Sequence, residues 1–146
     1  MKIVIEAPGD GGEEEIIIRC RSVSQEMMAV IGQLSSLDSR LMASCDGSIF
    51  QIDPKDVLYF ETVDNKTFAY TQNKVYQVAH KLYELEEQYK FTRFARISKS
   101  VIVNLNRIDN ITPAFNGRFE ACMKNGEKII ISRTYVPEFK KQLGMK

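Results

Sequence analysis

Apolar and polar positions fall into two rhythms along this chain. Lys2–Glu6 (KIVIE) alternates with period two, and Glu15–Cys20 (EIIIRC) is a short apolar run, so both segments are predicted strands. The link between them, Pro8-Gly9-Asp10-Gly11-Gly12 followed by three glutamates, predicts a hairpin loop. Ser22 and Gln25 stand at capping-box spacing, and Met27, Ile31 and Leu34 recur at helical intervals, which predicts a helix. A polar connector, SSLDSR, ends this first module near residue 44. From Asp46 the rhythm changes to short strands separated by turn signals: Ser48–Ile52, Val57–Thr62, Thr67–Thr71 and Val75–Ala79, with Asp64-Asn65 as one hairpin tip. Asp53 and Pro54 suit the cap and first position of one helical turn. Leu82, Leu85 and Tyr89 mark a helix with a polar opposite face. Ile108–Ala114, Arg118–Met123 and Glu127–Ser132 form a meander around Asn116-Gly117 and Asn125-Gly126, and Val136, Phe139 and Leu143 line a last helix. Pro137 is tolerated there because it falls in the first turn.

The predicted fold is therefore mainly β with short helices (α+β overall). A strand–strand–helix appendage over 1–44 precedes a β-rich domain over 46–146. Two strands and one helix are too small to be stable alone, so the appendage should pack on its neighbour or on a second copy.

The length of 146 residues allows one good core and excludes two large domains. No run approaches the roughly 18 apolar residues of a membrane-spanning helix, and no signal-peptide pattern opens the sequence. Cys20, Cys45 and Cys122 are odd in number and widely spaced, which implies reduced, mostly buried thiols in a cytoplasmic protein. With the single His80 they offer no metal-ligand spacing, and no metal or other cofactor is expected. The net charge of +1 conceals an asymmetry: residues 1–89 carry −7 and residues 90–146 carry +8. A polyanionic partner for the second part is the natural inference, unless the two parts neutralise each other within one fold.

The richest chemistry lies in Phe94–Leu105 (FARISKSVIVNL) and Ile130–Val136 (IISRTYV). The first opens as a strand, breaks at Ser98–Ser100, and continues as a short apolar turn, Val101-Ile102-Val103, before Asn104-Leu105. The second is an apolar strand ending in Ser132-Arg133. Both junctions put cationic and hydroxyl side chains at strand ends, where a protruding loop could meet a phosphate backbone.

This pair of motifs resembles the LytTR family of bacterial DNA-binding domains, whose pattern runs F-x-R-x-H-K-S-x-x-V-N-L, then a hairpin, then x-x-S-R. The resemblance covers 46–146 and implies an antiparallel β domain of roughly nine strands that enters the major groove with loops. It implies contacts from the hairpin tip after Tyr59-Phe60-Glu61-Thr62, from the Ser98-Lys99-Ser100 turn, and from the Ser132-Arg133-Thr134 junction. Lys99 and Arg133 suit base edges, Arg133 by a bidentate contact to guanine. Asn65, Lys66 and Thr67 suit a phosphate or an adjacent base, Ser98 and Ser100 suit phosphate, and Thr134 flanks the last contact. Asn104 closes its turn by hydrogen bonds to backbone. Ser98 stands where the family has His, and Val101 where it often has an aromatic ring.

The expectation is a stand-alone transcription regulator that binds promoter repeats in double-stranded DNA as a homodimer. The appendage, with Met27 and Met28 along one side of its helix, would serve dimerisation or a regulatory protein partner. An enzyme is not expected, because the chain lacks a nucleophile elbow and a ligand cluster. No receiver module is expected either. Two alternatives are a β-rich protein-interaction module with a basic face and a single-stranded RNA binder. The latter requires Phe91, Phe94, Phe115 and Phe119 exposed on one face for base stacking.

Overall fold

Strand ends in this chain are set by residues that accept a left-handed backbone. Asp46-Gly47 (φ 50° and 82°), Asp64-Asn65 (52° and 63°) and Asn116-Gly117 (61° and 74°) each place two consecutive residues there. Tight turns of this kind match the right-handed twist of the strands they join. The computed structural model describes residues 2–12, 15–36, 40–90 and 92–145.

Within them seven strands form one antiparallel sheet: β1 (Leu41–Cys45), β2 (Ser48–Ile52), β3 (Val57–Val63), β4 (Lys66–Thr71), β5 (Val75–Val78), β6 (Phe94–Arg96) and β7 (Val101–Asn104). Their spatial order is β2-β1-β5-β4-β3-β7-β6. A second antiparallel sheet, ordered β10-β9-β8, holds β8 (Ile108–Pro113), β9 (Phe119–Met123) and β10 (Lys128–Ile131). Three helices complete the fold: α1 (Gln25–Ser36), α2 (Leu82–Gln88) and α3 (Val136–Gln142).

Two apolar cores lie on opposite faces of the larger sheet. One gathers Leu41, Ala43, Val57, Phe60, Ala69 and Ile102 under Leu82 and Leu85 of α2. The other joins Leu58, Tyr59, Ile97 and Val103 to Ala121, Met123 and Ile131 of the smaller sheet and Phe139 of α3. Cores on both faces bury four consecutive residues of β3, and a register shift between Val57 and Tyr59 places those two in different cores. Without it a period of two would send Val57 and Tyr59 to the same face.

Burial on both faces also corrects a sequence expectation. Val101-Ile102-Val103 is not an apolar turn but β7, paired with β3 on one side and β6 on the other. A strand covered on both faces has no reason to alternate.

The N-terminal expectations need more revision. Among the described residues, 2–12 and 15–24 form no strand. The two segments run side by side, Lys2, Val4 and Glu6 facing the same shallow space as Glu15, Ile17 and Arg19. No ladder joins them, and a lone two-stranded hairpin is marginal in water. Ile3, Val4, Ile5, Ile16 and Ile17 are all exposed.

Helix α1 forms as predicted, but Ser24 caps it through a bond from the Met27 amide at 3.1 Å, in place of Ser22. Neither core contains a residue before Leu41. The boundary between 44 and 46 falls inside β1, which pairs with both β2 and β5 and belongs to the sheet. Residues 37–39 of the connector lie outside the described residues. Cys20 is exposed, and Cys45 and Cys122 are half-buried, against the expectation of mostly buried thiols.

Candidate nucleic-acid interface

Strand pairing brings the three segments singled out in the sequence to one end of the molecule. β3 runs out to the Asp64-Asn65 tip, while β7 begins beside it, Glu61 pairing with Val101. The Ser98–Ser100 turn that precedes β7 is thereby placed next to the hairpin, and the Thr62 amide donates to the Ser100 carbonyl at 2.9 Å. β10 ends at the same turn, since the Ser132 amide donates to the Ile97 carbonyl at 2.8 Å. Two backbone bonds thus fix the tip, the turn and the Ser-Arg junction relative to one another.

Lys66, Lys99 and Arg133 are all exposed. Among the described residues no carboxylate pairs with any of them, whereas Arg40, Arg96, Arg107 and Lys128 each have an acidic partner. Asn65 and Thr134 are exposed beside them, and Ser98 and Ser100 are half-buried. Ser98 Oγ accepts the Ser100 amide at 3.2 Å and lies 3.4 Å from Ser100 Oγ, so both hydroxyls already shape the turn. Thr67 differs from its expected place. It is 5% exposed, with its hydroxyl 3.3 Å from that of Thr62, and braces the base of the hairpin. Asn104 closes its turn as expected: its Nδ2 donates to the Val57 carbonyl at 2.9 Å, and its Oδ1 accepts the Asn106 amide at 3.0 Å.

Two residues at this end escaped the sequence reading. Gly117 lies against Arg133: a Cβ on Gly117 would stand 3.2 Å from both Cγ and Cδ of the arginine. The Asn-Gly dipeptide signalled the turn but not what rests on it. Arg96 reaches behind the Ser98–Ser100 turn, its Nε donating to the Ser98 carbonyl at 2.7 Å. Its place in the F-x-R spacing was visible, its geometry was not.

Asp64 is exposed at the hairpin tip itself, whereas Glu61, behind it on β3, is engaged on the sheet. Tyr70 donates to Glu61 Oε1 at 3.1 Å, and Tyr59, stacked on Tyr70 at 4.4 Å, donates to Glu127 Oε2 at 2.8 Å. Burial, then the bond to Glu127, raises the Tyr59 hydroxyl well above the ordinary tyrosine range. Tyr70 is raised by burial and then by its bond to Glu61.

The aromatic face required for stacking single-stranded RNA is not assembled. Phe94 packs on Phe60 at 5.5 Å and on Tyr89 at 5.1 Å. Phe119 is half-buried beneath Lys140, whose Nζ stands 4.8 Å from the ring centroid. Phe115 is exposed, and Phe91 lies outside the described residues.

Comparison with known proteins agrees with this geometry. The family model for the LytTr DNA-binding domain matches residues 47–144, and the chain belongs to that family. The LytTr DNA-binding domain of a Bacillus cereus protein described as a methyl-accepting/DNA response regulator superposes with a TM-score of 0.70 at 29% identity, covering 74% of this chain and 99% of that one. Sensory transduction protein LytT of Bacillus subtilis is 30% identical over 130 residues, covering 89% of this chain and 54% of that protein. LytT of Bacillus cereus is 35% identical over 104 residues, covering 71% of this chain and 42% of its own length. The chain thus spans about half the length of these curated relatives. An uncharacterized HTH-type transcriptional regulator of Staphylococcus aureus aligns over 147 residues at 29% identity, 99% of each chain.

Proposed function

We propose that this chain is a transcriptional regulator, without enzymatic activity, that binds double-stranded DNA sequence-specifically. Loops at one end of its larger sheet read the major groove. The observation that carries this reading is the pair of backbone bonds, Thr62 to Ser100 and Ser132 to Ile97, that lock three cation-bearing loops into one array. Lys99 and Arg133 contact base edges, while Asn65, Lys66, Ser98, Ser100 and Thr134 position the array on phosphates. Thr67, being buried, supports the hairpin instead of touching DNA. Helix α3 does not serve as a reader, because Lys140 lies over the Phe119 ring.

The DNA partner is a promoter repeat bound by a homodimer in the cytoplasm. Residues 2–36 supply the dimer contact, with a regulatory protein as the other occupant of that surface. Exposed Ile3, Val4, Ile5, Ile16 and Ile17 on an acidic segment favour a protein partner over phosphate there.

Duplex titrations against salt test the reading. If each protomer neutralises about three to five phosphates, log K should fall against log salt with a slope of roughly −3 to −5. A slope near zero on every duplex, including the promoter of its own gene, would transfer the basic end to a protein partner.

A further inference from the structure

We propose that Arg96 is a positioning residue that aims Lys99 at the base edge without itself touching DNA; this rests on the DNA-reading proposed above. Its guanidinium makes three charge-assisted bonds behind the turn. Nε donates to the Ser98 carbonyl at 2.7 Å, Nη2 to the Lys99 carbonyl at 2.5 Å, and Nη1 to Glu86 Oε2 at 2.5 Å.

Two consecutive carbonyls turned onto one planar fork fix the peptide planes on both sides of Lys99. Among the described residues the Lys99 carbonyl has no other partner, and the Ser100 amide of the same peptide plane donates to Ser98 Oγ at 3.2 Å, so the guanidinium and that hydroxyl together set the plane. The carbonyls on both sides of Lys99 are thus held by the guanidinium, while the Lys99 side chain is exposed on the turn that backbone bonds tie to the Lys66 hairpin and the Arg133 junction.

Lysine cannot reproduce this device, because an ammonium is a point charge without a fork. The Arg96 side chain is 20% exposed and its charge is met by Glu86 on α2. A cation already paired and facing inward releases no counterions when DNA binds. The turn is thus coupled to α2, a helix on the far side of β6 from the DNA loops in sequence, through one guanidinium.

Arg96→Lys is the informative variant, since it keeps a cation against Glu86. Selectivity for the base opposite Lys99 should fall roughly ten-fold, as in Lys99→Ala. The double variant should be no worse than either single one, and the salt slope should match the parent's. In DNA-free protein the amides of residues 98–100 should exchange faster in Arg96→Lys, while those of β3 do not. In the unmodified chain the Arg96 Nε–H should exchange far more slowly than a solvated arginine.

Retained selectivity with unchanged turn exchange in Arg96→Lys, or additive losses in the double variant, would overturn the proposal. A salt slope about one unit flatter in Arg96→Ala, with equal losses on all duplexes, would make Arg96 a phosphate contact. If the parent binds no duplex selectively, the DNA reading fails. Exchange at the turn and at Arg96 Nε–H then still decides whether the clamp exists.

Discussion

Replacing Arg133 with Ala separates base reading from phosphate binding, because the folded chain makes little use of that guanidinium. The side chain is exposed and, among the described residues, no carboxylate pairs with it; its stem rests on Gly117. Its loss should change stability by no more than about 0.5 kcal/mol, as for an ordinary surface site. In the complex a bidentate contact to guanine is worth about 1–3 kcal/mol of discrimination. At 1.4 kcal/mol per decade this is roughly a 5- to 150-fold loss on the cognate site. Random duplex offers no guanine in register and should lose much less. Lys66→Ala provides the contrast. Lys66 is exposed beside the hairpin tip and, among the described residues, no carboxylate pairs with it, so removing one phosphate contact should flatten the salt slope by about 0.9 and weaken all duplexes alike. Anisotropy titrations of both variants on the cognate site, on its single-base substitutions and on random duplex, each at several salt concentrations, supply the readout. Identical behaviour of the two variants on cognate and random DNA would refute the sorting of base from phosphate contacts.

Phe60→Ala should cost about 3–5 kcal/mol in urea unfolding, since the ring is fully buried against Phe94 and Tyr89; a loss under about 1 kcal/mol would show that the core beneath α2 collapses freely. Tyr59 has a hydroxyl raised above its unfolded value, so the stability this gives is present below about pH 10 and lost as pH rises further. Tyr59→Phe should therefore lose less stability than the parent between about pH 10 and 11; parallel alkaline declines would remove Tyr59 as the cause. A chain beginning at Arg40 should keep its fold and base preference but bind a two-half-site operator about 10²–10⁴ more weakly, through lost effective concentration. Equal binding to both half-sites would end the dimerisation role of residues 2–36. A chain beginning at Ser44 should instead be unstable, because it lacks Leu41 and Ala43, which are 1% and 3% exposed.

Most of the β architecture was legible because turn residues marked it. Asp64-Asn65 and Asn116-Gly117 place hairpins where the structure has them, each with two positive φ angles. Asp46-Gly47 carried the same signal, between LMASC and SIFQI. Taking Asp46 as a domain boundary instead of a hairpin tip concealed β1. β7 was misread for a different reason: VIV is covered on both faces, so the alternation that identifies half-buried strands was missing. Lys2–Glu6 failed the other way, because KIVIE alternates as a strand should but has no sheet to join among the described residues. The candidate cations Lys99 and Arg133 were legible from motif spacing. Their convergence was not, since it depends on pairing β3 with β7 and on the Ser132–Ile97 bond, contacts between residues far apart in sequence.

The division of charge along the chain becomes intelligible once the positions are known. Of the acids in residues 1–89 that lie near the hairpin and the turn, Glu61 is engaged by Tyr70 and Glu86 by Arg96, while Asp64 stays exposed at the tip. Among the described residues, the N-terminal segment that carries Glu6, Asp10, Glu15 and Glu26 joins neither core. The alignment with the Staphylococcus aureus regulator runs through that segment, although the family match begins only at residue 47. On the proposed function, an acidic, apolar-studded segment whose described residues join neither core, and that phosphates would repel, would hold a second protein surface. On the same reading, base choice would depend on the bonded end of the sheet, and affinity for a repeated site on the segment that precedes it.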